Sequence, residues 1–310
     1  MKLITICIPT YNQCEFLNKL LSQISKYNKN YPIIISDNGS TDKTSKIVLK
    51  YKNKLNNLKY LRLKKNYGFD YNYLNCIKKV KTNYFWVLGS DDQIYSNSIN
   101  NIEKLLKFLN YPNGLTFIDN KKKIKRKINF SRINNFKLSR DSNNLGKICT
   151  NIIKKKNFLK IKSNKIKKNF GYIQVYYLVN IITRYKNWFI YENNIICKTN
   201  YFSKHIKSKY DILNRLDSEF KGYLKNIHPK KLGFNEYKKY KKVIFLKNIR
   251  PWIFSSLLIN DKNDVLKIIK KNNYLVKDIN NFQIIKKLII FIPQSIIKIV
   301  LKLKLFLFND

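Results

Sequence analysis

"YFWVLGSDDQIY", Tyr84–Tyr95, decides the fold. Tyr84 to Leu88 is unbroken aromatic and aliphatic sequence, which reads as a strand buried on both faces. It stops at Gly89 and runs into two adjacent carboxylates, Asp91 and Asp92. The whole chain of 310 residues has 18 Asp+Glu against 63 Lys+Arg, a formal net charge of +45. Two of its few acids therefore stand side by side at a strand end, and their surroundings must explain them.

Working outward, strands and helices alternate. "LITICI" and "PIIIS" are short apolar strands. Between them "CEFLNKLLSQISKY" places Phe16, Leu17, Leu20, Leu21, Ile24 and Tyr27 on one helical face. "GSTDKTSKIVLKY" predicts a helix that Ser40, Thr41 or Asp42 can cap. "LKYLRL" is a third strand, "YNYLNCIKKV" a helix, "NSINNIEKLLKFLN" an amphipathic helix and "GLTFID" a fifth strand. Such alternation predicts an α/β architecture, a Rossmann-like, mainly parallel sheet with helices on both faces. Ligands bind outside the carboxyl ends of such strands. Pro9, Thr10 and Tyr11 follow strand one, Asp37 and Asn38 follow strand two, and Asp91 and Asp92 follow strand four. All three groups fall on one edge.

Beyond about residue 120 the pattern weakens. Residues 120–144 are basic and aperiodic and read as surface loop or irregular strands. "IQVYYLVNIITRYKNWFIY" reads as a buried helix leading into a strand, and residues 202–280 as mostly helical, a helical C-terminal extension. The expected division is 1–200 and 201–310, with 1–119 as the ligand-binding half of the first domain and 120–200 as its second half. The tail, 282–308, is apolar but interrupted by Lys286, Lys287, Lys298, Lys302 and Lys304 and bent at Pro293. No run approaches the roughly 20 apolar residues of a spanning helix. Apolar sequence with interspersed lysines suits a helix lying in a membrane interface, or one packed on the domain's own core.

The five cysteines, Cys7, Cys14, Cys76, Cys149 and Cys197, are scattered without a C-x-x-C pair, which points to a reducing cytoplasm rather than a disulfide framework or zinc site. "MKLITICIPTYNQ" lacks the features of a signal peptide. The enrichment in Lys, Asn, Ile, Tyr and Phe matches an AT-rich coding bias, so much of the charge is a solvated coat and no nucleic-acid partner is expected. The charge still favours anionic partners such as nucleotide phosphates and acidic lipid headgroups.

Three readings of Asp91 and Asp92 stay open on residues alone: a turn that caps the next helix, ligands for a hard cation such as Mg²⁺ or Mn²⁺, or an acid/base pair. Neighbours on a strand point to opposite faces, so a shared proton needs a turn that redirects one of them. "SDNGSTD" allows Asp37 to accept from a ribose or base, or simply to close an Asx turn. No G-x-G-x-x-G or G-K-[ST] occurs, which disfavours a dinucleotide cofactor or a Walker-type site.

Taken together and in order, "ITICIPTYNQCEFL", "IIISDNGSTDKT", "KKNYGFDYN" and "YFWVLGSDDQIY" resemble the landmarks of family 2 glycosyltransferases, over about the first 115 residues. The resemblance implies the GT-A fold and a metal-dependent, inverting transfer from a nucleotide-diphosphate-sugar donor to a glycan or lipid-linked acceptor. It implies donor contacts from Pro9, Thr10, Tyr11, Asp37, Asn66, Gly68 and Asp91, and a Mn²⁺ or Mg²⁺ site on Asp92 with Asp91. Asn66, Gly68 and Asn72 resemble a subgroup acting on lipid-linked bacterial surface polysaccharides such as O-antigen, capsule or lipooligosaccharide. That places the chain in the cytoplasm, peripheral on the inner face of the membrane. Two departures stand out. Gly89 occupies the first acidic place of D-x-D-D. "KKNFGYIQVYYL" offers Gln174 where a catalytic carboxylate is expected, leaving Glu192 and Asp141 as candidates. A different class of function, a non-catalytic basic module that binds RNA or a membrane surface, would use the charge and need no base. A nucleotidyltransferase ranks last, because "PTYNQCEF" has no glycine for a triphosphate loop.

Overall fold

The computed structural model describes residues 2–27, 30–118, 129–161, 172–192, 197–199, 209–224 and 232–307. It divides into two compact units, one of residues 1–137 and 144–201, the other of residues 138–143 and 202–310.

In chain order the elements are β1 (Ile4–Thr10), α1 (Cys14–Tyr27), β2 (Ile33–Asp37), α2 (Thr44–Lys52), β3 (Leu58–Arg62), α3 (Phe69–Lys78), β4 (Tyr84–Val87), β5 (Asp92–Ile94), α4 (Ser98–Phe108), β6 (Gly114–Phe117), β7 (Ile133–Asn135), α5 (Leu138–Asp141), β8 (Asn151–Lys154), α6 (Lys155–Leu159), α7 (Ile173–Tyr185), β9 (Trp188–Tyr191) and β10 (Cys197–Thr199). All but α5 belong to the first unit.

One sheet runs β3-β2-β1-β4-β8-β6-β9-β7, and β10 pairs separately with β5. The pairings of β1 with β2 and β4, of β2 with β3, and of β6 with β9 are parallel; β8 lies antiparallel to both β4 and β6, and β7 antiparallel to β9. The sheet is therefore mixed, with the expected parallel block at one side. β8 falls in a stretch that carried no strand signal. It is short, and its first residue is a buried asparagine. That side chain is fully engaged: Thr116 Oγ1 donates to Asn151 Oδ1 at 2.9 Å, and Asn151 Nδ2 donates to the Lys147 carbonyl at 2.8 Å.

Every residue of β1 is buried, which requires cover on both faces. One face carries Ile4, Ile6 and Ile8 with Ile33, Ile35, Trp86 and Leu88, packed against Leu17, Leu20, Leu21 and Ile24 of α1 and Ile99, Ile102, Leu105 and Leu106 of α4. The other face meets α3, α6 and α7: Cys76 Sγ donates to the Ile34 carbonyl, and Phe158 sits edge-on to Phe85 and stacks on Tyr177. Trp86, fully buried, satisfies its indole by donating Nε1–H to the Cys149 carbonyl at 2.7 Å.

Of the region expected to be irregular, residues 120–128 lie outside the described residues; the rest holds β7 and the single turn α5, which packs within the second unit. That unit is otherwise α8 (Lys209–Leu224), α9 (Phe234–Ile244), a π-helical turn over Phe245–Ile249, α10 (Arg250–Ile259), α11 (Lys262–Val276), α12 (Asn280–Phe291) and α13 (Gln294–Leu307). Pro293 separates α12 from α13, where the sequence places its bend. Among the described residues no helix is long and apolar enough to cross a membrane.

Candidate active site

Parallel register fixes the site before any side chain is considered. Thr10 pairs with Asp37, Asp37 with Arg62, and Cys7 with Val87, so Ser90 extends β4 to the level of Thr10. Ser90 Oγ donates to Thr10 Oγ1 at 2.9 Å, closing that row. Arg62, Asp37, Thr10 and Ser90 thus stand across four successive strand ends at sheet spacing, about 4.8 Å.

Asp37 is fully buried and engaged at both oxygens. Oδ1 accepts from the Ser40 amide at 2.9 Å and Oδ2 from the Tyr60 hydroxyl at 2.6 Å, with Arg62 Nε at 3.8 Å. Burial, and then the bond to Asp37, push the Tyr60 hydroxyl up to about 12, so it remains a donor. Tyr60 was not among the predicted residues. Its signal was its place one alternation from Arg62 on β3.

The loops beyond the strand ends are tied to each other. Asn12 Oδ1 accepts from the Thr41 amide at 2.8 Å, and the Asn12 amide donates to Ser40 Oγ at 2.9 Å. Asp42 Oδ2 accepts from the Cys14 amide and Oδ1 from the Thr44 amide, so one carboxylate serves the first turns of both α1 and α2. Asn38, buried, donates to Asn66 Oδ1 at 2.7 Å and to the Gly68 carbonyl at 3.2 Å, and accepts from the Tyr67 amide at 2.9 Å. It shapes the loop that presents Asn66 and Gly68. Gly39, at φ +74°, lies so close to this loop that a Cβ would come within 2.7 Å of the Lys65 backbone. Asn72 Nδ2 reaches back to the Thr10 carbonyl at 3.2 Å, while its buried Oδ1 has no partner among the described residues. Tyr11 is exposed at the rim.

At the end of β4 the chain turns. Gly89 N–H donates to Asp92 Oδ2 at 2.7 Å, and a Cβ on Gly89 would lie 2.6 Å from Asp91 Oδ1 and 3.4 Å from Asp92 Oδ2. Both carboxylates fold back over the glycine. The turn therefore redirects side chains that a continued strand would have sent to opposite faces. Gly89 is no simple loss of an acid, since it leaves room for the two that follow. Asp92 is buried, and its carboxyl is pushed up to about 7, first by burial and then by the charge of Asp91, against the Gly89 amide, a bond from Cys149 and the charge of Lys147.

At the place where the resemblance implies a catalytic carboxylate stands Gln174. Gln174 is buried in the first turn of α7; Nε2 donates to the Gly146 carbonyl at 3.2 Å and Oε1 has no partner among the described residues. Asp70, at the start of α3, accepts from the neighbouring Ile173 amide at 3.3 Å and so ties the Asn66–Asn72 segment to that helix. Glu192 follows β9 on the same edge of the sheet, exposed, with Asn134 Nδ2 at 3.4 Å. It lies three strand spacings from β4, about 14 Å. Asp141 belongs to the other unit, where it is buried and paired with Arg140 at 2.6 Å.

This arrangement coincides with a known family. Residues 5–174 match Glycosyl transferase family 2. The chain belongs to that family. Abequosyltransferase RfbV of Salmonella typhimurium is 40% identical over 101 residues, which cover 31% of this chain and 30% of RfbV. The alignment thus spans less than a third of that relative. Among solved structures the likeness of fold extends further. Residues 1–349 of Staphylococcus aureus TarS, in complex with UDP-GlcNAc, superpose with a TM-score of 0.58 at 18% identity, covering 93% of this chain and 91% of that one. The mannosyltransferase PcManGT of Pyrobaculum calidifontis, in complex with GDP-Man and Mn²⁺, gives 0.58 at 11% identity, covering 99% and 88%. The fold is therefore GT-A, as the ordered motifs imply.

Proposed function

We propose that this chain transfers a sugar from a nucleotide-diphosphate-sugar to a glycan or lipid-linked acceptor, with inversion, in the synthesis of a bacterial surface polysaccharide at the inner face of the cytoplasmic membrane. The observation that carries this reading is the pair of carboxylates gathered over Gly89, on the sheet edge that also holds Thr10 and Asp37, in a chain of this family. Residues 1–119 hold the donor and residues 120–200 receive the acceptor.

The donor set suits a hard divalent cation. Among the described residues no cluster of three or more His, Cys, Asp or Glu exists, and such cations need only one or two carboxylates when substrate phosphates complete the shell. The Asp92 carboxyl is pushed up by burial and then by the charge of Asp91, so a cation on the pair would offset both. Held by Asp92 with Asp91, Mn²⁺ or Mg²⁺ would offset the negative charge that develops on the departing diphosphate.

The chain's own groups do the rest. Pro9, Thr10 and Tyr11 line the nucleoside, with Tyr11 free to lie against the base. Asn66 and Gly68 reach the donor through the loop that Asn38 fixes. Asp37 first orders its turn, and contact with the nucleoside follows when Tyr60 or Arg62 moves aside. The acceptor oxygen bonds to the anomeric carbon on the face opposite the diphosphate, the carbon–oxygen bond to phosphate breaks with its electron pair going to phosphate, and the hydroxyl proton must leave. Gln174 cannot accept it. Glu192 shares the edge, and Glu192→Gln tests it by its effect on kcat.

A thermal-shift panel of UDP, CDP, GDP and dTDP, each with and without Mn²⁺, on wild type and Asp92→Ala, tests the whole reading. One nucleotide stabilising only the wild type, and only with metal, is expected. Stabilisation by none of them overturns it.

A further inference from the structure

We propose that the helices α12 and α13 form the surface by which this chain docks on an anionic bilayer, lying in its interface. The inference deepens the placement of the acceptor at a membrane, and donor binding, measured separately, distinguishes its failure from failure of the transferase reading. Helix α12 has two apolar stripes. The inner one is spent on the unit's own core: Phe282 and Ile289 are buried, and Phe282 sits edge-on to Phe245 with ring centroids 5.6 Å apart. The outer one, Ile284, Leu288 and Phe291, recurs at helical spacing and faces solvent, Phe291 at 79% exposure. Packing on the core accounts for the first stripe and leaves the second unused. Helix α13 continues it with exposed Ile296, Ile299 and Val300.

The elbow between the helices is pinned. Lys262 Nζ donates to the carbonyls of Ile290 and Ile292 at 2.9 and 3.0 Å, satisfying the end of α12. Gln294 accepts from the Lys262 amide at 3.2 Å and donates to the Asn260 carbonyl at 2.8 Å. The apolar side chains are thus presented on an anchored frame. Charge selects the occupant. From Ile279 to Asn309 there is no Asp or Glu, and Lys286, Lys287, Lys298, Lys302 and Lys304 are interspersed among the apolar residues, in a chain of net charge +45. Apolar anchors with lysines interspersed in the sequence match a surface with an apolar interior and negative headgroups.

The test is flotation of the full chain with vesicles of phosphatidylcholine alone and of phosphatidylcholine mixed with phosphatidylglycerol. Binding to the mixed vesicles, weak binding to the neutral ones, and weakening by salt are expected. Ile284→Ser/Leu288→Ser/Phe291→Ser should lower binding at least about tenfold. Leu49→Ser/Leu159→Ser, which removes exposed apolar side chains elsewhere, should leave it unchanged. Circular dichroism and nucleotide-induced thermal shift confirm that the triple variant folds and binds donor nucleotide as wild type does. Failure of wild type to float, or flotation of the triple variant at the wild-type level, overturns the proposal. So does light scattering showing a dimer that the triple variant abolishes in a protein that does not bind vesicles, since the face would then join two copies of this chain.

Discussion

Asp92→Asn separates what the acid pair costs the fold from what it does for the ligand. The Asp92 carboxyl is pushed from 3.8 to about 7, which at about 1.4 kcal/mol per pH unit corresponds to about 4 kcal/mol against the charged form. Relaxation of the site reduces what is realised, and about 2 kcal/mol is the expected gain on neutralisation. The sign follows from proton linkage. Between 3.8 and about 7 the folded state binds the proton more tightly than the unfolded one, so the contribution of Asp92 is fully present below pH 4 and is lost as pH rises through 7. Asparagine keeps an acceptor for the Gly89 amide and offers its NH₂ to Asp91. In chelator at pH 8 the variant should therefore melt higher than wild type, by about 4–8 °C for a unit of this size. At pH 4 the two should coincide. With Mn²⁺ and the matching nucleotide the order should reverse, because only wild type gains. Differential scanning fluorimetry at both pH values reads all of this. A variant less stable than wild type at pH 8 in chelator would refute the argument that the pair is strained without a cation.

Gly89→Ala places a Cβ 2.6 Å from Asp91 Oδ1, so it should weaken metal-dependent nucleotide binding at least about tenfold, as measured by calorimetry, while the melting temperature in chelator hardly changes. Asn38→Ala removes the Asn66, Gly68 and Tyr67 bonds and should cost about 1–3 kcal/mol in urea unfolding, with poorer nucleotide affinity. Gly114→Ala sets a Cβ 2.2 Å from the buried Trp188 ring; a loss of about 3 kcal/mol or poor soluble expression is expected, with no specific effect on the site.

The parallel half of the sheet was legible because a strand buried on both faces leaves an unbroken apolar run, and the helices between such strands leave a face. Strand direction then placed Thr10, Asp37 and Asp91 on one edge without coordinates. Where polar residues carry structure the signal fails. Asn151 opens β8 with a buried amide made acceptable by Thr116, Thr150 and the Lys147 carbonyl, partners that no apolar pattern marks. Asn38 was legible as a position but not as a partner, and Tyr60 was not legible as a site residue, since their bonds cross from one loop or strand to another. Gly89 carried a second meaning that the motif does not show: besides lacking an acid, it is the space into which Asp91 and Asp92 fold.

The acids of this chain also argue for the site by contrast. Asp42 serves two helix starts, Asp141 is paired with Arg140, Glu219 with Arg215, and Asp217 takes bonds from Lys221, Lys271 and Asn272. Glu103 accepts from the Leu3 amide and from Tyr31, and Lys241 bonds Asp278. In each case a donor or a cation of the chain meets the carboxylate. Asp92 is different: burial, and then the charge of Asp91, outweigh the Gly89 amide, Cys149 and Lys147. A lysine, Lys147, does act on Asp92, but its charge does not offset burial and the charge of Asp91. The arrangement makes physical sense when the compensating charge comes from outside the chain and arrives with a diphosphate, which is why the deciding measurement on Asp92→Asn is a reversal of rank with metal and nucleotide rather than a loss of stability.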